Sequence, residues 1–332
     1  MPTHRRIVLA GRPQADVMPE HFRLETVETP VPAEGQVLVR NLWLSLDPYM
    51  RGRMNEGRSY AECQPLDATM VGGTAGVVEA SRNPRFAPGD PVVGYFGWEE
   101  YGISDGTGLM KVDTAHVPLS AYLGPVGMPG VTAWYGLNQI IVPKAGETIA
   151  VSAASGAVGS VVGQLAKAAG CRTIGIAGGA DKCRYVLDEL GFDACIDYKS
   201  DDLGKALKAA APKGIDGYFE NVGGPVLDAV LPRMNAFGRI ALCGLIAGYN
   251  AAPIPIANPT WFLISRLKLQ GFIVTEHMGL WPQALRELGT RVASGTLRYR
   301  ETIAEGLDSA PEAFIGLLKG RNFGKQLVRL AR

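Results

Sequence analysis

A glycine-rich segment at residues 154–159 (ASGAVG) carries the clearest chemical signature in this 332-residue chain. It follows an apolar run and precedes a stripe of apolar residues at the three- and four-residue spacing of a helix. Glycines at such a turn let backbone N–H groups approach a pyrophosphate. Because Ala154 replaces the first glycine of G-x-G-x-x-G, the match is a variant. The pattern predicts a dinucleotide site, and the alternative is a purely structural turn.

The residues about twenty positions further on choose between the two nicotinamide dinucleotides. An NAD enzyme usually places Asp or Glu there, where it binds the ribose 2′-hydroxyl. Here the second strand ends at Ala177 and two glycines, and Lys182 and Arg184 follow. Because either base suits a 2′-phosphate, the sequence predicts NADP(H). The alternative is a solvated helix start that is capped by Asp181 and has its bases in water.

Two different patterns along the chain position these residues. The first 125 or so residues alternate short strands with turns, as at residues 36–46, 75–80 and 91–95, and predict a β-rich, barrel-like domain. From about Gly146, apolar strands alternate with helices, which predicts a doubly wound parallel sheet. Near the C-terminus, Ser309 and Glu312 form the pattern of a helix capping box.

Composition and context exclude several other functions. A net charge of +1 argues against an overall basic surface for nucleic acid, and a hydrophobic content of 47% argues against disorder. Prolines or a glycine-rich turn interrupt each long uncharged stretch, so we expect no membrane insertion. Five cysteines without a C-x-x-C pair and four scattered histidines indicate no metal site and a reducing compartment. We therefore expect a cytoplasmic protein without a metal.

A G-x-S-x-G pattern at residues 102–106 also invites a functional interpretation. In a nucleophile elbow, a helix begins directly after the serine turn. Here Gly106 and Gly108 stand where that helix would start. The pattern therefore predicts a turn and not a hydrolase site.

Further motifs resemble those of the medium-chain dehydrogenase/reductase superfamily from end to end. The match is to its zinc-independent branch of leukotriene B4 12-hydroxydehydrogenase/prostaglandin reductases, plant alkenal double-bond reductases and bacterial curcumin reductase. Zinc-dependent relatives carry a ligating Cys and Gly-His-Glu where this chain has LDPY and GGT, and they have a four-cysteine lobe that is missing here. The resemblance therefore implies no metal. It rests on DPYMR (47–51), GMPGVTA (127–133), residues 153–159, ENVGG (220–224), residues 243–250 and GRNFGK (320–325).

The resemblance implies an α/β architecture of two domains. A GroES-like β-barrel catalytic domain would comprise residues 1–125 and 300–332, and a Rossmann NADP(H)-binding domain would comprise residues 126–299. The implied catalytic residues are Tyr49 and Tyr249, which would border an enone substrate. The implied cofactor-binding residues are Thr132, Ser155, Gly156, Ala157, Val158, Lys182, Tyr198, Asn221, Cys243, Gly244, Leu245, Ile246, Tyr249, Phe272, Ile273, Val274 and Asn322.

The resemblance also implies a role for each part of this set. Residues 155–158 would face the pyrophosphate, and Lys182 and Tyr198 would hold the adenosine 2′-phosphate and ribose. Thr132 would approach the carboxamide, and the other residues would line the nicotinamide. Ile264 stands where some relatives carry another substrate-facing tyrosine, which argues against carrying over prostaglandin specificity.

The implied reaction reduces the C=C bond of an α,β-unsaturated aldehyde or ketone with hydride from NADPH. A tyrosine or ribose hydroxyl would stabilise the enolate that develops. Two alternatives are a quinone reductase of the same fold and a non-catalytic NADPH-binding protein. The presence of both Tyr49 and Asn221 argues against the latter. We expect a small-molecule enone or enal and a second copy of the chain as partners, and no nucleic acid or membrane.

Overall fold

The computed structural model describes residues 2–250 and 254–331. The chain divides into two compact units, Met1–Gly124 with Glu301–Arg332, and Pro125–Arg300. The strands are β1 (Thr3–Leu9), β2 (Phe22–Glu28), β3 (Val37–Ser45), β4 (Thr74–Ser81), β5 (Pro91–Gly94), β6 (Tyr101–Ser104), β7 (Met110–Lys111), β8 (Thr148–Ser152), β9 (Arg172–Ala177), β10 (Ala194–Asp197), β11 (Ile215–Glu220), β12 (Met234–Leu242), β13 (Lys268–Gly271), β14 (Glu301–Glu305) and β15 (Lys325–Arg329).

Helices occupy much of the second unit and less of the first. Short 3₁₀- and π-helical turns connect or extend several of them. Within the described residues, none of these helices is both long and apolar enough to cross a bilayer. The α-helices are α1 (Tyr49–Arg53), α2 (Met128–Tyr135), α3 (Gly159–Ala168), α4 (Ala180–Arg184), α5 (Leu203–Ala210), α6 (Gly224–Val230), α7 (Thr260–Ile264), α8 (Trp281–Ala293) and α9 (Ala310–Leu318).

The first unit is built on a mainly antiparallel sheet of order β14-β15-β3-β4-β5-β7, in which β6 also pairs with β3. Strands β14 and β15 are parallel, and β15 joins β3 in an antiparallel pair. An aromatic group forms the centre of its core, where Trp98 stacks on Phe22 at 5.2 Å and meets Phe314 edge-on at 5.7 Å. This unit confirms the β-rich domain that the sequence predicts.

The second unit contains a six-stranded sheet of order β10-β9-β8-β11-β12-β13 in which every pair is parallel. All five residues of β8 are buried, as its unbroken apolar sequence predicts for the middle of a parallel sheet. Strands β8 and β11 are neighbours although β9 and β10 lie between them in sequence. This is the doubly wound strand order, so the predicted α/β fold is confirmed.

Two local expectations have different outcomes. The capping box at Ser309 is wrong, because its hydroxyl donates to the Gly306 carbonyl at 2.7 Å and makes no cap hydrogen bond to α9. At residues 102–106, β6 runs into a turn in which the Gly106 N–H donates to Ser104 Oγ at 2.9 Å. Gly106 and Gly108 both have positive φ, as the predicted turn requires.

Candidate functional site

One edge of the parallel sheet collects expected cofactor residues from all six strands. Because parallel strands end at the same edge, the segments that follow them lie along one line. The neighbouring pair β8 and β11 marks the topological switch point, where such sheets open a crevice for a ligand. The residues that follow the strand ends are Ser155 after β8, Lys182 after β9, Tyr198 after β10, Asn221 after β11, Cys243 after β12 and Phe272 after β13.

The glycine-rich turn after β8 brings the backbone close together before α3 begins. Ala153 has a φ of 49°, and the Gly156 N–H donates back to its carbonyl at 2.9 Å. A Cβ on Gly159 would lie 2.4 Å from the same carbonyl oxygen, so no side chain fits there. Residues 156–158 are half-buried beside this helix N-terminus. The turn therefore fits a pyrophosphate, which needs close backbone approach and N–H donors.

The ends of β9 and β10 form a second, separate group. The Asp197 carboxylate accepts hydrogen bonds from the Gly179 N–H at 2.8 Å and the Lys199 N–H at 3.0 Å. A Cβ on Gly178 would lie 2.8 Å from the Tyr198 ring and 3.0 Å from the Lys199 side chain. Tyr198 and Lys199 therefore lie directly over the turn that leads into α4.

Two lysines, Lys182 and Lys199, lie in this group beside the Asp197 carboxylate. Burial and then the nearby charge of Lys199 lower the pKa of Lys182. Two ammonium groups that disfavour each other gain from an anion between them, so the pair fits a 2′-phosphate. The sequence analysis did not identify Lys199, and its only local signal is its position directly after Tyr198.

The alternative role for Asp181 is wrong. The N-cap of α4 is Gly179, and the Asp181 carboxylate pairs with Arg184 on the same helix. Arg184 is thus engaged by a carboxylate on its own helix.

Replacing Lys182 with alanine is expected to raise the KM for NADPH about tenfold and the KM for NADH by less than about twofold. Only NADPH carries the 2′-phosphate to which the ammonium group would bind. Arg184→Ala is the matched control, because it removes a cation from the same helix that is paired with Asp181. Equal changes for both dinucleotides in Lys182→Ala would contradict the assignment.

Asn221 is fixed at the switch point by the last residue of β8. Its side-chain amide donates to the Ser152 carbonyl at 2.8 Å, and its backbone N–H donates to Ser152 Oγ at 2.8 Å. The loop at 243–249 is attached to the same place, since the Cys243 N–H donates to the Glu220 carbonyl at 2.9 Å and the Ile246 N–H donates to the Asn221 carbonyl at 3.2 Å. Asn221 and this loop therefore lie together at the switch point, and their contact with the nicotinamide stays a prediction.

Tyr249 closes this loop. Its side chain is half-buried, and its hydroxyl oxygen lies 3.4 Å from the Leu245 N–H, which donates to it. A Cβ on Gly244 would lie 3.1 Å from the same oxygen. The phenol is therefore held over residues 244–245 at the end of β12, with its hydroxyl in a defined place.

The segment after β13 is anchored by aromatic packing. The Phe272 ring lies 5.3 Å from the ring of Tyr135 and 6.3 Å edge-on from that of Phe219. Val274 is buried, and its carbonyl accepts a hydrogen bond from the Trp281 indole at 3.1 Å. Residues 272–274 therefore form a fixed border of the sheet edge.

Thr132 lies within α2, and its hydroxyl is engaged by the helix itself. Its hydroxyl donates to the Met128 carbonyl one turn earlier in α2, at 2.7 Å. The hydroxyl proton is thus used inside the helix. Contact of Thr132 with the carboxamide stays a prediction.

Tyr49 and Asn322 lie in the first unit. Burial and the nearby Asp47 carboxylate raise the pKa of Tyr49 well above its ordinary value. The Asn322 side chain donates to the Gly324 carbonyl at 2.8 Å and fixes the turn before β15.

The segment before Tyr49 is held by a buried ion pair that the sequence analysis missed. Lys325 Nζ donates to the Asp47 carboxylate at 3.0 Å and to the Leu46 carbonyl at 2.6 Å. Ser45 Oγ also donates to Asp47. The pair joins residues 278 positions apart, so no local pattern could reveal it.

No cluster of three or more His, Cys, Asp or Glu side chains suited to a metal ion occurs in the ranges 2–250 and 254–331. The expectation that the protein works without zinc remains a prediction.

Known proteins with similar sequences cover the whole chain. Residues 5–112 match the family profile described as the N-terminal domain of oxidoreductase, and residues 157–290 match the profile described as zinc-binding dehydrogenase. The NADPH-dependent curcumin reductase of Escherichia coli (strain K12) is 48% identical over 99% of this chain and 97% of its own length. The 2-alkenal reductase (NADP(+)-dependent) of Nicotiana tabacum is 46% identical over 92% of this chain and 91% of its own length.

A solved structure agrees with these matches. The crystal structure of CurA in complex with NADPH from Vibrio vulnificus superposes with a TM-score of 0.94 at 48% identity, and 99% of each chain is covered. Identity at this level over nearly the full length shows common ancestry and not merely a shared fold. The chain therefore belongs to the zinc-independent branch of the medium-chain dehydrogenase/reductase superfamily, as its motifs led us to expect.

Proposed function

We propose that this protein reduces the C=C bond of α,β-unsaturated aldehydes and ketones with NADPH. The observation that carries the proposal is the sequence identity of 46–48%, over 92–99% of this chain, to two reductases. Their names specify NADP(H) and either curcumin or a 2-alkenal. The two neighbouring lysines, Lys182 and Lys199, and the narrow turn at Gly159 support the cofactor independently of these names. When bound, NADPH supplies the hydride that adds to the β-carbon of the substrate.

The chain's own residues have two tasks in this reaction. The first task is to bind the cofactor. Its pyrophosphate lies at the turn of residues 155–158, and its 2′-phosphate and adenosine ribose lie at Lys182 and Tyr198. Its nicotinamide is bordered by Asn221 and the 243–249 loop. Tyr249 or Tyr49 donates a hydrogen bond to the carbonyl oxygen, on which charge develops as the enolate forms. A protonated phenol is the required donor, and a tyrosine keeps its proton at neutral pH without any shift of its pKa.

The proposal is tested by following NADPH oxidation with an enone, the corresponding saturated ketone and a quinone. We expect rapid oxidation with the enone, none with the saturated ketone, and a product in which only the C=C bond is reduced. Turnover with the quinone alone would favour the quinone reductase. Tight NADPH binding without turnover on a broad panel would favour the non-catalytic protein.

Exhaustive chelation is expected to leave enone reduction unchanged within about 20%. The oxyanion donor in this proposal is a phenol, so no Lewis acid is needed to polarise the carbonyl. Elemental analysis of the active protein is the second measurement. One zinc ion per chain, together with activity that chelation abolishes, would contradict the zinc-free mechanism.

We further propose that a second copy of the chain pairs along β13. Within the described sheet β13 is a terminal strand, and an edge of this kind offers backbone groups to another chain. Large apolar side chains near it are exposed, with Phe237 at 67% and Leu263 at 77%. Sedimentation of the wild type and of Leu263→Lys tests this: we expect a dimer that the charge weakens, and a monomeric wild type would contradict it.

The five free cysteines support a reducing, cytoplasmic location.

A further inference from the structure

A carboxylate lies fully buried beneath the switch point of the parallel sheet. Glu220 is the last residue of β11 and has no solvent-exposed surface. Its Oε1 accepts hydrogen bonds from Ser152 Oγ at 2.7 Å and from the Val222 N–H at 2.6 Å, and its Oε2 accepts one from the Tyr218 hydroxyl at 2.9 Å. A buried carboxylate is costly unless such donors satisfy it. Its presence at this place therefore calls for an explanation.

The hydrogen bonds to Glu220 continue into the segments that border the nicotinamide. Ser152 Oγ donates to Glu220 and accepts from the Asn221 N–H, so it joins the carboxylate to that residue. The Glu220 backbone carbonyl accepts from the N–H groups of Cys243 at 2.9 Å and Gly244 at 3.2 Å. Any residue at position 220 would make these two backbone bonds. The Glu220 side chain reaches the same loop through Val222, whose N–H donates to it and whose carbonyl accepts from the Ala247 N–H at 3.0 Å.

The adenosine end of the cofactor site has its own carboxylate. Asp197, the last residue of β10, accepts hydrogen bonds from the backbone N–H groups of Gly179, which precedes α4, and of Lys199, which follows β10. None of the hydrogen bonds described for Glu220 reaches that group. The two halves of the site are therefore held by separate networks, and a change in one should spare the other.

We propose that Glu220 is a positioning residue that holds Asn221 and the 243–249 loop in the geometry that binds the nicotinamide half of NADPH. This inference rests on the proposed use of NADPH. It assigns Glu220 no contact with the cofactor and no proton transfer. It acts through Ser152 and through the turn at Val222.

Two substitutions of similar size separate the effect of the Glu220 hydrogen bonds from the effect of its side-chain volume. Glu220→Met fills the same space but offers no strong acceptor, so Ser152 Oγ and the Val222 N–H lose their partner. Glu220→Gln retains a carbonyl oxygen that can accept from both groups, and its amide can donate to the Tyr218 oxygen. We therefore expect glutamine to preserve the geometry and methionine to loosen it.

The experiment measures dissociation constants of each variant for NADPH and for 2′,5′-ADP, which lacks the nicotinamide half. We expect Glu220→Met to weaken NADPH binding about tenfold and 2′,5′-ADP binding by less than about twofold, and Glu220→Gln to bind NADPH within about threefold of the wild type. If Glu220→Met does not fold, Ser152→Ala takes its place, because it removes only the bridging hydroxyl and should give the same split.

Three results distinguish the possibilities. NADPH binding in Glu220→Met and Ser152→Ala that equals the wild type would overturn the positioning role. An equal loss for both ligands would also overturn it, because the substitution would then affect the adenosine half, which the hydrogen bonds of Glu220 do not reach. A wild type that binds 2′,5′-ADP but not NADPH would instead overturn the proposed function on which this inference rests.

Discussion

Replacing Tyr249 with phenylalanine is expected to lower kcat on enones about tenfold to a hundredfold, or ~1.4–2.7 kcal/mol. The substitution keeps the ring that packs over residues 244–245 and deletes only the hydroxyl. If that hydroxyl donates to the substrate carbonyl, the hydrogen bond strengthens as the enolate develops. An interaction made mainly in the transition state changes kcat and not KM alone.

The matched control is Tyr49→Phe, which deletes the other candidate hydroxyl. Steady-state kinetics on one enone, with saturating NADPH, measures both variants. The ribose hydroxyls of the cofactor can share the task, so we expect a partial loss and not a complete one. Should Tyr249→Phe keep the wild-type kcat while Tyr49→Phe loses it, the role would belong to Tyr49.

Local sequence patterns predicted the parts of the molecule that depend on local physics. The buried run before residue 153, the glycine turn and the stripe of α3 gave the central strand, loop and helix of the second unit close to their true bounds. The absence of an acid at the end of β9, where two glycines follow Ala177, indicated NADP(H). These features follow from spacing, turn geometry and periodicity, which a single segment of sequence contains.

Other parts depend on contacts between distant segments, and the sequence could not supply them. Lys199 becomes part of the cationic group only because β10 pairs beside β9. Glu220 gains its role from Ser152 on the neighbouring β8, 68 positions earlier. Ser309 fits the capping pattern, yet its hydroxyl finds the nearby Gly306 carbonyl and leaves the helix uncapped. In each case a tertiary or competing local contact decided the outcome.

Each of the two units contains a buried carboxylate whose hydrogen bonds hold a neighbouring segment with predicted site residues. In the second unit, Glu220 does this with neutral donors. In the first unit, the carboxylate is that of Asp47, which lies two residues before Tyr49. It is paired with the Lys325 ammonium group. Both side chains of this pair are nearly excluded from solvent, at 8% and 3% exposure. The two arrangements should therefore respond very differently to the loss of a partner.

Replacing Lys325 with methionine is expected to destabilise the protein by about 3–5 kcal/mol, because it leaves the Asp47 carboxylate buried without its cation. Chemical denaturation measures the change. Lys111→Met is the matched control: Lys111 pairs with Asp90 at 2.7 Å on the surface, so its loss should cost at most about 1 kcal/mol. The double variant Asp47→Asn, Lys325→Met should recover part of the loss, since no buried charge remains.

Comparison of these variants decides what the pair contributes to the reaction. If its purpose is to hold the segment before Tyr49, the double variant should regain stability but keep a lowered kcat, because Lys325 also donates to the Leu46 carbonyl. A Lys325→Met protein that is as stable as Lys111→Met would mean that water or a bound proton compensates the charge of Asp47. The buried pair would then contribute nothing to the free energy of unfolding. Recovery of stability and kcat together would show that the charge alone matters and that the lysine's contact with the backbone before Tyr49 does not.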